Sequence, residues 1–264
     1  MGNAQSPPAN PRYALASRAF SQKELEDHKS LFVSLAAQSQ SDGKYIFPSV
    51  FKRYFGLHGP LGDRMFDLLS QQRKDQRLSF QDLVIAKGTY EKGTKDEIEE
   101  FIYQLVDVSG DGILGELNVR SDLESVLIAM FETIFSTKDA ELGPSSHKDV
   151  VDIFLNAATF SKHVDGCAEK SMSIEDFRNW CTLLPSVKKF LGSLLIPPDA
   201  GRPGSQVPCL VHLESVDSNM VLLRKEYAWH IGGALSLQEL EEWKLLYHSA
   251  YNGLSFNTFL GSIS

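Results

Sequence analysis

Residues 107–118 read Asp107-Val108-Ser109-Gly110-Asp111-Gly112-Ile113-Leu114-Gly115-Glu116-Leu117-Asn118. Oxygen-bearing side chains stand first, third and fifth, and a glycine stands sixth, where a chain turning sharply around a cation needs a residue tolerant of positive φ. A hard cation such as calcium takes six to eight oxygens, and the seventh position supplies one through its backbone carbonyl. The candidate ligands are therefore Asp107, Ser109, Asp111, the Ile113 carbonyl and Asn118. Asn118 offers one neutral oxygen where a bidentate carboxylate is wanted, so the expected calcium site is a low-affinity one, weaker than the roughly 10⁻⁷–10⁻⁵ M of sensor loops. Glu116 stands two places too early to replace it.

This pattern resembles an EF-hand loop, and Phe101, Leu105 and Val106 suit its incoming helix. Three other windows keep the frame and lose the ligands. Residues 71–82 retain an apolar Leu78 and a closing Asp82, but Gln71 opens the window and Arg73 puts a cation at the third place. Residues 165–176 keep an acid at each end and Met172 between them, with Cys167 third and Lys170 sixth. Around 39–46, Asp42-Gly43 survives with too few acids. The remnants imply paired EF-hand-like helix-loop-helix units, most of which hold no metal. Gly110-Asp111-Gly112-Ile113-Leu114-Gly115 also satisfies a dinucleotide fingerprint. That fingerprint requires a preceding strand, whereas Ile98, Ile102 and Leu105 form a helical stripe, and two aspartates would face the pyrophosphate.

Working outward, Ser21 and Glu24 form a capping-box pattern at the start of a helix whose apolar face is Leu25, Leu31, Phe32 and Leu35. Amphipathic stretches follow over 50–55, 64–69, 80–86, 95–106, 117–135, 148–160, 174–183 and 187–195, and this number of helices predicts a mainly α fold. Before them, 1–17 reads as a disordered, Pro-rich tail, so the helical EF-hand-like domain is expected over 18–195. Residues 196–207, Ile-Pro-Pro-Asp-Ala-Gly-Arg-Pro-Gly-Ser-Gln-Val, read as a linker.

Beyond the linker, Pro208 to Leu213 is strand-like. Trp243, Leu246, Tyr247, Ser249, Gly253, Ser255, Phe256, Phe259 and Leu260 then fall in the order of a Trp, an aromatic core, a Gly-x-Ser-Phe turn and a second helix. This resembles the start of the TLDc domain family. Asn252 stands where that family often has His. The resemblance implies that 208–264 is the incomplete start of an α+β TLDc domain, without the strands that should follow, and with edges and apolar faces left open.

The N-terminal Met1-Gly2-Asn3-Ala4-Gln5-Ser6 matches the N-myristoylation pattern, with Gly2 as the acceptor. One acyl chain gives only marginal, reversible attachment, and neither a basic cluster nor a nearby cysteine reinforces it. Together with the degenerate hands and the TLDc-like segment, this start resembles EF-hand/TLDc proteins of the N-myristoylated type linked to mTOR growth signalling at lysosomes. What that resemblance implies is a non-enzymatic interaction or scaffold protein. It also implies the vacuolar-type proton ATPase as a partner, a role in oxidative-stress resistance, and a cytoplasmic location peripheral to lysosomal or vacuolar membranes. The alternative is a weakly calcium-responsive myristoyl switch.

Composition bounds these readings. The 264 residues are 42% hydrophobic and carry a formal charge of −8, so no basic footprint for nucleic acid exists. Cys167, Cys181 and Cys209 are odd in number and unpaired by spacing, which points away from a disulfide framework or a zinc site. No hydrolase, zincin, P-loop or kinase pattern occurs, and the seven histidines are dispersed.

Overall fold

The computed structural model describes residues 10–71, 75–108, 116–135, 147–163, 170–211 and 223–263. The helices are α1 (Pro11–Ser17), α2 (Gln22–Gln38), α3 (Pro48–Tyr54), α4 (Gly59–Leu69), α5 (Phe80–Lys92), α6 (Lys95–Val106), α7 (Glu116–Phe135), α8 (Lys148–Asn156), α9 (Ile174–Leu183), α10 (Pro185–Leu191), α11 (Lys225–Gly232), α12 (Ser249–Asn252) and α13 (Phe256–Ile263). Short strands β1 (Lys162–His163) and β2 (Lys170–Ser171) pair antiparallel; β3 (Cys209–Val211) and β4 (Glu242–Lys244) pair parallel. The chain is mainly helical, as the sequence predicts.

Capping chemistry sets most helix starts. Ser21 and Glu24 close the expected box on α2, and Ser79–Asp82, Thr94–Glu97 and Ser173–Asp176 do the same on α5, α6 and α9. Each box satisfies two backbone N–H groups that the first helical turn leaves without partners. Proline at the first positions of α3, α4 and α10 fixes φ where no N–H is needed.

One continuous apolar core joins these elements. Phe51, Phe55, Phe66, Phe131, Phe154, Phe177, Trp180 and Phe190 are all essentially inaccessible, with Leu35, Ile46, Met65 and Leu78 between them. Each contributes about 1.5–3 kcal/mol relative to exposure.

The helices expected over 50–55, 64–69 and 80–86 are Pro48–Tyr54, Gly59–Leu69 and Phe80–Lys92, and four further boundaries differ from the sequence reading. Residues 11–17, expected within the disordered tail, form α1, which lies on α5: the Tyr13 ring meets Phe80 edge-on at 6.2 Å, and Gly88 leaves room for Ala16. The helix expected over 148–160 ends at Asn156, where the Trp180 indole N–H takes the Phe154 carbonyl (2.9 Å). The helix expected over 187–195 is Pro185–Leu191, begun by its proline and stopped at Gly192. The Pro/Gly-rich 196–207 is pinned to the core by Arg202, 1% exposed, whose guanidinium donates to the carbonyls of Ile196 (2.8 Å), Leu194 (3.3 Å) and Phe55. Burial lowers the Arg202 pKa to about 10.

The last stretch packs differently. Gly253 takes φ +80°, and α13 follows with no buried residue; Leu254 is 90% exposed and Phe256 69%. No described helix is long and apolar enough to cross a membrane.

Candidate functional site: four loops in one register

Counted from Ser39, Gln71, Asp107 and Asp165 as first positions, the tenth residues are Pro48, Phe80, Glu116 and Ile174. These are the first residues of α3, α5, α7 and α9. All four outgoing helices therefore begin at one loop position, which is what a repeated helix-loop-helix unit requires. α2 and α6 end on the residue just before their loops, and α4 ends one residue earlier. The pairing is explicit for the first two units: Ile46 N–H donates to the Leu78 carbonyl (2.9 Å) and Leu78 N–H to the Ile46 carbonyl (3.0 Å), an antiparallel bridge between the two eighth positions. Leu78 and Met172, the eighth residues expected to be buried, are both 0% exposed.

Among the described residues, ligand positions in three loops are taken up by the protein's own hydrogen bonds. In the first, the Ser39 hydroxyl donates to the Leu35 carbonyl (3.0 Å) and accepts from Phe47 N–H (3.1 Å), while Ser41 accepts from Tyr45 N–H (3.0 Å). In the second, the Gln71 amide donates to Asp82 Oδ1 (3.1 Å), joining the first position to the twelfth across the loop. The other Asp82 oxygen accepts from Ser79 N–H (2.9 Å) and Ser79 Oγ–H (2.6 Å). The sixth residue, Gln76, adopts φ +53°, the left-handed turn that glycine serves in the third loop's sequence. Arg73 lies outside the described residues.

The fourth unit departs from the expected frame. α8 ends at Asn156, well before Asp165, and β1 lies in the interval, pairing with β2 beyond it. Asp176, the twelfth residue, accepts from Ser161 N–H (3.0 Å), Ser161 Oγ–H (2.6 Å) and Ser173 N–H (2.9 Å). Burial works against its charge, but these donors outweigh it and hold the carboxyl below the usual aspartate value. Asp165 and Cys167 lie outside the described residues. So does the Lys170 side chain.

The first residue of the third loop is met from elsewhere in the fold. Asp107 is 5% exposed, and its Oδ2 lies 3.1 Å from Arg64 Nη2; Arg64, itself 8% exposed, also donates through Nε to the Gln104 carbonyl (3.0 Å). Arg64 sits on α4, so a cation from the second unit stands at the first ligand position of the third. Of the remaining candidate ligands, Ser109, Asp111 and Ile113 lie outside the described residues, as does Gly2. Asn118 lies on α7 with its side chain outside them. Among the described residues no cluster of three or more His, Cys, Asp or Glu could hold a metal.

Among the described residues, the oxygens at the ligand positions of the first, second and fourth loops already accept from backbone and side-chain N–H and O–H groups, which competes with calcium there. Asp107 fits as an anionic first ligand whose present partner is a cation. Sequence reading missed Arg64, Ser161 and the closing role of the Gln71 amide. Ser161 and Arg64 carry no local signal, whereas Gln71 and Asp82 at the two ends of one window could have suggested an amide-carboxylate closure.

A second charged cluster ties the third unit to the fourth. Glu99 on α6 is 5% exposed and accepts from Lys188 (2.6 Å) and from Arg178 Nε (2.9 Å). The Lys188 hydrogen bond, above all, lowers its carboxyl pKa. Cys181, nearby, is buried, and that burial pushes its thiol up to about 12, which leaves no reactive thiolate at neutral pH.

No protein-family model matches the chain. It is similar to a recoverin family protein of Dictyostelium discoideum, 23% identical over 134 residues that cover 49% of this chain and 58% of the relative. It is also similar to the calcium-binding protein NCSA of the same organism, 31% identical over 74 residues, 28% of this chain and 37% of the relative. The chain thus spans about half the length, or less, of these curated relatives. The relatives matched, at low identity, are recoverin-family and calcium-binding proteins, and the mainly helical build of the described residues is compatible with an EF-hand-like domain.

Proposed function

We propose that this chain is a non-enzymatic, calcium-responsive interaction protein in which one hand takes calcium and three serve as fixed joints. The observation that carries this reading is Asp107: a buried carboxylate at the first position of the one loop whose sequence keeps oxygens at positions one, three and five and glycine at six. Calcium at Asp107, Ser109, Asp111, the Ile113 carbonyl and Asn118 would compete with Arg64 for Asp107. That competition, and the neutral twelfth ligand, keep the affinity low. Similarity to calcium-binding relatives supports the reading. Myristoylation of Gly2 would add reversible membrane contact, strengthened or weakened as the metal arrives.

For the last region we keep the TLDc reading as part of the proposal. The motif residues Trp243 to Leu260, the turn at Gly253 and α13 support it, and with it go the scaffold role, the vacuolar-type proton ATPase as partner, oxidative-stress resistance and a place on lysosomal or vacuolar membranes.

The test is calorimetric titration of the full chain with calcium, beside Asp111→Ala. One equivalent of weakly bound calcium, abolished in the variant, is the expected result. Heat that survives Asp111→Ala, or no heat at millimolar calcium, overturns the proposal.

A further inference from the structure

The helices α11 and α13 use their apolar residues in opposite ways. α11 gives them to the core: Trp229, 1% exposed, meets the Phe131 ring edge-on at 5.6 Å, and its indole N–H donates to the Gly204 carbonyl (2.7 Å). α13 gives none. Phe256, Phe259, Leu260 and Ile263 recur at helical spacing along one face of it, and all four are exposed. Asn257, Thr258 and Ser262 make the other face, where the Ser262 hydroxyl donates to the Thr258 carbonyl (2.9 Å). The preceding turn braces the helix: the Tyr247 ring meets Phe259 edge-on at 5.3 Å, the Tyr247 hydroxyl donates to the Gly253 carbonyl, and the Asn252 side chain accepts from His248 N–H (2.8 Å).

Charge and area decide what such a face meets. Residues 245–264 contain no Asp, Glu, Lys or Arg, although 23% of the whole chain is charged. A stable protein interface buries about 800 Å² on each partner, whereas the four exposed side chains of α13 offer roughly 400 Å². A second copy of this chain would find too little to hold, and the net charge of −8 works against self-association. A short helix with Phe, Leu and Ile on one side and uncharged polar residues on the other suits the boundary between lipid headgroups and acyl chains, where it enters by apolar contact and offers an anionic headgroup no cation. Tyr251, exposed on α12, has the apolar ring and polar tip that settle at that boundary.

We propose that α13 is a membrane-interface helix, which lays Phe256, Phe259, Leu260 and Ile263 into the surface of a neutral, loosely packed lipid layer. It lies on the bilayer and does not cross it. One acyl chain attaches a protein only marginally and calls for a second signal, and α13 is a signal of that kind. The inference stands on α13 and needs neither an acyl group at Gly2 nor calcium.

The experiment mixes the full, unacylated chain with phosphatidylcholine vesicles and reads co-flotation. Binding is expected on small, strongly curved vesicles above that on large ones, with no gain when phosphatidylserine is added. Phe256→Asn with Leu260→Asn, two exposed positions whose change leaves the core intact, should lower the partition constant at least about tenfold. Leu183→Asn, at an exposed apolar residue of α9, should leave it unchanged. A chain that stays off the small vesicles, or a double variant that floats with them equally well, overturns the proposal. So does binding that requires phosphatidylserine, which would make the attachment electrostatic. A dimer in sedimentation velocity that the double variant dissolves would overturn it too, because a second copy would then cover the face.

Discussion

Asp82 and Asp107 are both buried carboxylates at the ends of hand loops, and they are satisfied in opposite ways. Asp82 takes all its named partners, Ser79 and Gln71, from its own loop. Asp107 takes Arg64 from a different hand, 43 residues away in sequence. The first arrangement ties the two ends of one loop to each other. The second makes the state of one loop depend on a helix of its neighbour, so that anything drawing Asp107 away from Arg64 is felt on α4.

The largest effect is expected from Asp82→Ala. It leaves Ser79 N–H and the Gln71 amide without their acceptor, and urea unfolding should show a loss of about 2–3 kcal/mol. A loss under about 0.5 kcal/mol would mean that the second loop is not closed from within. Next comes Arg64→Met, which removes a buried cation from beside Asp107. Stability should fall by about 1–3 kcal/mol, and calcium affinity by calorimetry should tighten about tenfold as the competing cation disappears. Unchanged calcium affinity would remove the cross-hand tie from the comparison.

The same contrast can be read with protons. Asp176, closed locally, and Glu99, clamped across units by Lys188 and Arg178, both have lowered folded-state pKa values. A depressed carboxyl contributes stability above its unfolded pKa, near 4, and loses it as pH falls through the folded value. Melting temperature is therefore expected to be flat from pH 7 to about 5 and to drop below about 4. Asp176→Asn should flatten the acid side of that curve; an unaltered slope would show that its donors do not favour the ionised form. The smallest effect concerns Gln76, a non-glycine residue at φ +53°. Relief of that backbone strain by Gln76→Gly should stabilise by up to about 1 kcal/mol, less the entropy glycine costs the folded chain, and a thermal melt decides it.

What could be read in advance was what repeats locally. The frame of first, eighth and twelfth positions came from spacing, and Leu78 and Met172 are buried as that frame requires. The Ser21 to Glu24 cap was legible because both partners lie within one helical turn. Ser79–Asp82, Thr94–Glu97 and Ser173–Asp176 repeat the same signature and were equally open to reading. By contrast, the Arg64 pairing, the seating of Trp229 and the end of α8 depend on which helices meet, and no window of neighbouring residues carries that information. Arg202 is the sharpest case: in a run of proline and glycine it reads as a solvated charge, and three backbone carbonyls brought to one point by the fold turn it into a core residue.

Arg202 bears on how such a chain can be inherited and rearranged. A recombination event that cut after Leu195, at the boundary composition suggests, would keep every hand helix and still leave the Phe55 and Leu194 carbonyls without their donor and the Trp229 pocket open to water. The smallest piece that evolution can move intact therefore runs past the hands to about Leu235, and the Pro/Gly-rich stretch travels with them as part of the unit.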